Sequence, residues 1–169
     1  SPLPETQLRP ALQQLVDSEL VQGKRQPPDT TYSFKHALVQ EAAYDSLLKT
    51  QRVQLHARIA QTVEQHFPEI ADTEPELLAH HFAECGDLEH AARYWLSAGR
   101  NNVRRSANEQ AIGHFERALG AIRGLPTSEA SERLELEVQL AYSPALMAVA
   151  GFAEPKTLAS ADRAFALCE

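Results

Sequence analysis

The side chains best suited to chemistry fall in one short stretch: His80, His81, Cys85 and His90. His81 and Cys85 are four residues apart, so they share one helix face, and an imidazole with a thiolate at this spacing can bind a transition metal. The same pair could act as a thiol and a nearby base. However, no third ligand follows at a firm spacing, no acid is placed to orient the imidazole, and Phe82 is expected on the buried face. The pattern therefore predicts neither a metal site nor a catalytic group.

Motifs for handling nucleotides are also missing. A phosphate loop requires the pattern GxxxxGK[ST], and the one Gly-Lys pair, Gly23-Lys24, continues into Arg25. No cyclase-like or kinase-like motif occurs. We therefore expect no catalytic residue in this chain, no cofactor bound by it, and no enzyme activity of its own.

The charge balance narrows the range of partners. The 169 residues include 16 basic and 23 acidic side chains, for a net charge of −7. This disfavours direct binding of DNA or RNA, which depends on neutralising phosphates. No apolar run approaches the roughly 20 residues of a membrane helix, and Cys85 and Cys168 imply no disulfide or zinc framework. The composition predicts a cytoplasmic globular chain without a nucleic-acid or membrane partner.

The first part of the chain mixes helix with a β-like segment. Apolar residues recur at helical spacing over residues 8–16, and this helix is expected to end near residues 21–23 with Gly23 in a left-handed cap. Residues 30–34 are rich in β-branched and aromatic side chains, which favours a strand. It is the one β-like segment in the sequence. His36 follows, at the start of an amphipathic helix.

Nearly all of the remaining chain is expected to be helical. Capping boxes are expected at residues 73–76 and 106–109, and Gly86 and Asp87 should separate two helices. A long helix is expected over about residues 128–150, followed by a last helix that begins at Pro155 and continues to Glu169. Two apolar stripes precede these helices: the first consists of Leu38, Val39, Ala42, Ala43 and Leu47, and the second of Leu55, Ile59, Val63 and Phe67.

An internal repeat lies in the helical part. The pattern Ala-x3-aromatic-x2-small occurs three times, as Ala91, Trp95 and Ala98, as Ala111, Phe115 and Ala118, and as Ala161, Phe165 and Cys168. Small residues let two helix backbones approach, and the aromatic ring fills the wedge between successive hairpins. Phe82, nine residues before Ala91, completes the pattern of a tetratricopeptide hairpin. The copies are 20 and 50 residues apart rather than the roughly 34 of the regular repeat, so the array resembles tetratricopeptide repeats in degenerate form.

Three arginines form a stripe on the helix predicted around the first copy. Arg93, Arg100 and Arg104 would line the groove of the array if this helix opens a hairpin. The groove would then suit an acidic peptide or an acidic segment of the same protein. The alternative is a solvated face on which the arginines pair with nearby acids: Glu89, Glu109 or Glu116.

Strand, histidine and repeat together resemble the C-terminal region of STAND-class signalling ATPases, especially bacterial multidomain adenylate cyclases. The resemblance is carried by LVDSELV, YSFKHALVQEAAYDSLL, ELLAHHFAECGDLEHAARYWLSAG and SANEQAIGHFERAL. It implies a longer protein in which an ATPase module precedes a winged helix and a repeat array. The chain would be all-α: a partial winged-helix segment with one short β-element at residues 1–48, then a tetratricopeptide-like α-α superhelix at residues 49–169, truncated at its C-terminus.

The resemblance also implies a role for His36. In STAND proteins a histidine of the winged helix, just after a strand and at the start of a helix, contacts the β-phosphate of bound ADP and holds the closed state. His36 matches that position by its context, and an imidazole at a helix N-terminus suits a phosphate. The alternative is that His36 caps the helix or packs on the wing. ATP or ADP is implied for the full-length protein only.

The function implied is that of a non-catalytic regulatory and protein-interaction segment of a larger nucleotide-dependent signalling protein. Its helical-repeat surface would bind protein partners or the protein's own ATPase and output domains. The alternative is a winged-helix transcriptional regulator that binds DNA and carries a helical-repeat effector region. The acidic balance counts against this alternative.

Overall fold

The computed structural model describes residues 5–26 and 29–168. It is mostly helical, with one short two-stranded sheet, and it divides into two compact units, Ser1–Lys49 and Thr50–Glu169. The elements of the first unit are α1 (Glu5–Asp17), β1 (Val21–Gln26), β2 (Asp29–Phe34) and α2 (Ala37–Asp45). Those that follow are α3 (Lys49–His66), α4 (Pro68–Thr73), α5 (Pro75–Cys85), α6 (Leu88–Arg104), α7 (Asn108–Ile122), α8 (Glu129–Ala150) and α9 (Pro155–Ala166).

The first unit contains a β-hairpin where one short β-element was expected. β1 pairs antiparallel with β2, from Val21 opposite Phe34 to Gln26 opposite Asp29. The prediction missed β1 because VQGKRQ has little strand propensity of its own, and pairing with β2 satisfies its backbone instead. The predicted strand corresponds to β2.

The end of α1 also differs from the prediction. The helix stops at Asp17, and the residue in the left-handed conformation is Glu19 (φ 59°) rather than Gly23. The N–H of Leu20 closes the turn by donating to the carbonyl oxygen of Leu15 at 3.1 Å. Gly23 instead lies in β1, opposite Tyr32.

The second unit is built from helices that pack against their neighbours in sequence. Each of the helices from α5 to α8 contacts the next one along the chain, and α6 also contacts α8. Small and aromatic side chains dominate the core between them, in which Leu78, Phe115 and Val138 are fully buried. No helix in the described part of the chain is both long and apolar enough to cross a membrane.

Several helix ends follow the predicted signals. Gly86 ends α5 in the left-handed conformation (φ 85°), and the Asp87 side chain accepts from the His90 N–H to begin α6. Ser128 caps α8 in a capping box whose other member is Ser131. Pro155 begins α9 as predicted, but α9 ends at Ala166 and does not continue to Glu169.

Both capping boxes predicted elsewhere are wrong. The N-cap residues of α5 and α7 are Glu74 and Ala107, neither of which makes a side-chain capping hydrogen bond. Thr73 is the last residue of α4, and its hydroxyl donates to the carbonyl oxygen of Glu69 at 2.7 Å. Ser106 takes the left-handed conformation (φ 59°) that closes α6. Each hydroxyl residue therefore belongs to the end of the preceding helix.

The stripe predicted on α3 matches the buried face only in part. Leu55 and Phe67 are exposed, whereas His56 and Ala60 are buried. Ile59 and Val63 are half-buried, and Val63 packs against the core. The helix is rotated so that a histidine points inward where a leucine was expected.

Candidate functional site

His36 lies between the β-hairpin and α2, as the sequence predicted. It is the N-cap residue of α2 with extended backbone angles (φ −132°, ψ 128°), and its side chain makes no capping hydrogen bond. The carbonyl oxygen, not the imidazole, accepts from the N–H groups of Val39 and Gln40. The exposed imidazole thus stands beside a helix N-terminus without capping it.

The three arginines predicted to line a basic groove are largely neutralised. Nη2 of Arg93 lies 2.9 Å from a carboxylate oxygen of Glu89 on the same helix. Nη2 of Arg100 lies 3.4 Å from Glu137 on α8, and Arg104 donates to the side-chain oxygen of Asn101. Two of the three therefore take part in ion pairs, which reduces the positive charge of the stripe.

A depression of about 430 Å³ lies between α6 and α8 on this side. Its charged lining residues are Arg93, Glu129, Arg133 and Glu137. Arg133 pairs with Glu129 at 3.4 Å. Two cations and two anions line it, so the depression has no net charge with which to select a charged ligand.

A second depression, the α7–α9 groove, lies over α8 between α7 and α9 and has a volume of about 500 Å³. Its charged lining residues are Glu116, Arg123, Glu135, Lys156 and Arg163. Three cations against two anions make this groove slightly basic within an acidic chain. The α7–α9 groove is therefore a better candidate than the depression between α6 and α8 for binding an acidic partner segment. The sequence had instead predicted such binding at α6.

Hydrogen bonds join the helices across the α7–α9 groove. The hydroxyl of Tyr142 donates to Glu116 at 2.9 Å, and Nζ of Lys156 donates to the same carboxylate oxygen at 2.5 Å. Arg163 donates twice to Glu135, with both distances 2.7 Å. This paired geometry is the strongest form of an arginine–carboxylate contact.

The protonation states in the groove are fixed near neutral pH. The hydrogen bond from Lys156 is the main cause that lowers the pKa of Glu116, and the one from Arg163 lowers the pKa of Glu135. Burial, with the nearby Glu116 carboxylate, raises the pKa of Tyr142. The groove therefore offers fixed charges and hydrogen-bonding groups, which suits recognition better than acid–base catalysis.

In the structure, the histidine and cysteine residues singled out from the sequence make separate contacts. The partner of His81 is His56 on α3, with 2.8 Å between the two Nδ1 atoms. The ring centre of His80 lies 5.6 Å from that of His56 and 5.5 Å from that of His81. Cys85 instead donates its thiol to a backbone oxygen at 3.2 Å, and His90 contacts Asp87 at 2.9 Å. His81 and Cys85 do not form a site.

The His56–His81 contact is a hydrogen bond between neutral rings. Burial lowers the pKa of His81 to about 4, with His56 and His80 adding to the effect, and burial also lowers the pKa of His56. One Nδ1–H can then donate to the other Nδ1. Within the described ranges, no group of three or more possible ligands is arranged to hold a metal ion.

The first two copies of the repeat lie in the core. All six of their small and aromatic residues are buried: Ala91, Trp95, Ala98, Ala111, Phe115 and Ala118. Phe82 is buried as well. The ring of Trp95 stacks on His114 at 5.2 Å, and the guanidinium of Arg117 lies 4.8 Å from the ring centre. In the third copy, by contrast, Ala161 and Phe165 are exposed.

Several side chains in these contacts were not singled out from the sequence, among them His56, Tyr142 and Gln139. The His56–His81 partners are 25 residues apart, and Tyr142 is 26 residues from Glu116. Buried Gln139 accepts from the hydroxyl of Ser160, 21 residues away. No local pattern links partners at such separations, so only the packing reveals them.

Comparison with known proteins gives little direct functional information. No protein-family model and no solved structure matches the sequence. A curated protein of Rhizobium meliloti (strain 1021), named only as an uncharacterized protein, is 33% identical over 127 residues. The match covers 75% of this chain but only 12% of that relative. Most of the relative's length therefore lies outside the matched segment.

Proposed function

We propose that the chain is a non-catalytic regulatory and protein-interaction segment of a larger, cytoplasmic, nucleotide-dependent signalling protein of the STAND type. Residues 1–48 would be the last part of a winged helix, and residues 49–169 a tetratricopeptide-like array. The observation that carries this proposal is the stack from α5 to α9, in which Trp95 and Phe115 are buried between successive helices. Such stacks serve as extended binding surfaces.

The thin core of the first unit supports the view that it belongs to something larger. Among the described residues of this unit, Val21 is the only hydrophobic residue whose side chain is buried. Leu38 and Leu48 remain 79% and 67% exposed. A unit of this size rarely folds on so small a core. The relative that extends far beyond its match fits the same view.

The nucleotide role of this proposal rests on His36. The imidazole lies at a helix N-terminus after a β-hairpin and does not cap the helix. In the full-length protein it would contact a phosphate of ADP supplied by the ATPase module and so stabilise the closed state. A ligand shifts such an equilibrium only through contacts that differ between the two states.

The test is His36→Ala in the 169-residue chain and in the full-length protein. The melting temperature of the 169-residue chain should hardly change, because no capping bond is lost. In the full-length protein, ADP retention should weaken and basal output should rise. His66→Ala, at another exposed histidine, is the matched control and should leave both unchanged.

Two results would refute the role of His36. If the 169-residue chain unfolds on substitution, His36 is a structural cap. If neither ADP affinity nor output changes in the full-length protein, His36 does not sense the nucleotide.

The interaction role is tested at the α7–α9 groove. Titration calorimetry should detect binding of the separately expressed ATPase module to the 169-residue chain, and salt should weaken it. Lys156→Glu with Arg163→Glu should abolish the binding, while Arg105→Glu, at an exposed position outside the groove, should not. Unaltered binding by the double variant would exclude the groove as the contact surface.

A further inference from the structure

Helix α9 packs with its polar side inward. Its buried residues are Thr157, Ser160 and Ala164. The hydroxyl of Thr157 donates to the carbonyl oxygen of Gly151 at 3.1 Å, and that of Ser160 donates to the side chain of Gln139 at 2.7 Å. These two hydroxyl groups take the place that leucine or valine would usually occupy in a helix interface.

A neighbouring side of α9 is apolar and uncovered. Leu158, Ala161 and Phe165 are spaced three and four residues apart, so they share one face. Leu158 is 40% exposed and Phe165 is 69% exposed. We call these three residues the α9 apolar face. A helix that buries hydroxyl groups and exposes a phenylalanine has its larger hydrophobic surface still unpaired.

The two earlier copies of the repeat show what covers such a face. Trp95 of α6 is covered by side chains of α7. Phe115 of α7 lies against Gly99 of α6 on one side and against Tyr142 of α8 on the other, with ring centres 6.1 Å apart. In both copies the aromatic ring is therefore covered by helices of the same array.

We propose that the α9 apolar face docks a further α-helix of the same polypeptide, which continues the array. The inference rests on the proposed function, because it requires a polypeptide longer than the array described. The helix would present a small residue to Phe165, as Gly99 of α6 does to Phe115. Ala161 would let its backbone approach, as Ala91 and Ala111 do in the earlier copies.

The match to the Rhizobium meliloti protein favours this occupant over a second copy of the chain. That match covers only 12% of the relative, which leaves ample polypeptide to supply further helices. Repeat arrays bury the hydrophobic face of each unit against the next one along the chain. A second copy would have to bring its own α9 apolar face, with its one exposed ring, against the same face of this chain.

Hydroxyl-radical footprinting of Phe165 tests the proposal in the full-length protein and in the 169-residue chain. We expect oxidation of Phe165 to be several-fold slower in the full-length protein. Leu55 of α3 is exposed to a similar degree as Leu158 and serves as the control; its oxidation should be the same in both proteins. Phe165→Asp should leave the 169-residue chain stable and should restore fast oxidation at Leu158 in the full-length protein.

Three results would overturn the proposal. Equal oxidation of Phe165 in both proteins would mean that the face stays in water. Protection that survives deletion of the polypeptide directly following Glu169 would mean that another partner covers it. Concentration-dependent dimerisation of the 169-residue chain that Phe165→Asp abolishes would mean that a second copy does. The readout needs no nucleotide, so its failure is distinct from failure of the role of His36.

Discussion

The contact between Gly99 and Phe115 makes a quantitative prediction about the helix stack. A Cβ added to Gly99 would lie 2.3 Å from Cε1 and 2.6 Å from Cδ1 of Phe115. The phenyl ring is completely buried and has no room to swing into solvent. Gly99→Ala should therefore force α6 and α7 apart or push the ring out of its rotamer.

The expected change in the free energy of unfolding for Gly99→Ala is the balance of two opposing effects. Alanine gains about 1 kcal/mol over glycine in a helix interior, whereas overpacking a core costs about 1–3 kcal/mol, occasionally more. The severe overlap with a buried ring places the cost at the upper end. We expect Gly99→Ala to lower the free energy of unfolding by about 1–2 kcal/mol. For a chain of this size, the melting temperature should fall by about 2–8 °C.

A matched control exists in α7. A Cβ on Gly113 would meet no atom within 4 Å, so Gly113→Ala should stabilise the chain by up to about 1 kcal/mol. Urea unfolding followed by circular dichroism measures both variants. In a Phe115→Leu background, Gly99→Ala should cost less, because the ring that it strikes is gone. Equal stabilisation by Gly99→Ala and Gly113→Ala would refute the close packing of α6 on α7.

Three other outcomes are expected. Trp95→Ala should lower the free energy of unfolding by about 3–5 kcal/mol, since the ring is only 6% exposed; a urea-melt loss under about 1 kcal/mol would contradict this. Because the folded state disfavours protonation of His56 and His81, stability should be full above pH 6.5 and decline as the pH falls toward about 4; an unchanged pH profile of the melting temperature in His81→Gln would speak against it. The purified 169-residue chain should neither hydrolyse nor cyclise ATP, and turnover that persists through further purification would show otherwise.

The parts of the fold that could be read from the sequence are those with local causes. Gly86 can adopt a left-handed turn without steric cost, and Asp87 can cap the next helix with its own carboxylate. Ser128 works in the same way. The predictions failed where a second element decides the outcome. Thr73 could not cap α5 because it is the last residue of α4, which begins at Pro68.

The surface chemistry was less predictable than the core. The spacing of the aromatic and small residues located the buried positions around Trp95 and Phe115. Which side chain meets Arg100 or His81 depends on the rotation of helices that are distant in sequence. Arg100 meets Glu137, 37 residues further along the chain, so part of the positive charge that the sequence suggests for the stripe is paired with an acid once the chain is folded.

Packing between helices that are adjacent along the chain also has a consequence for folding speed. From α5 to α9 each helix docks on the one just before it, so the contacts that close the stack join residues at short range along the polypeptide. Chains of low contact order fold fast, because little loop entropy is lost before each contact forms. Folding of the stack can begin at the α6–α7 pair and spread in both directions, one helix at a time. Under load or in mild denaturant, such a stack would open from its ends while the central pair stays closed.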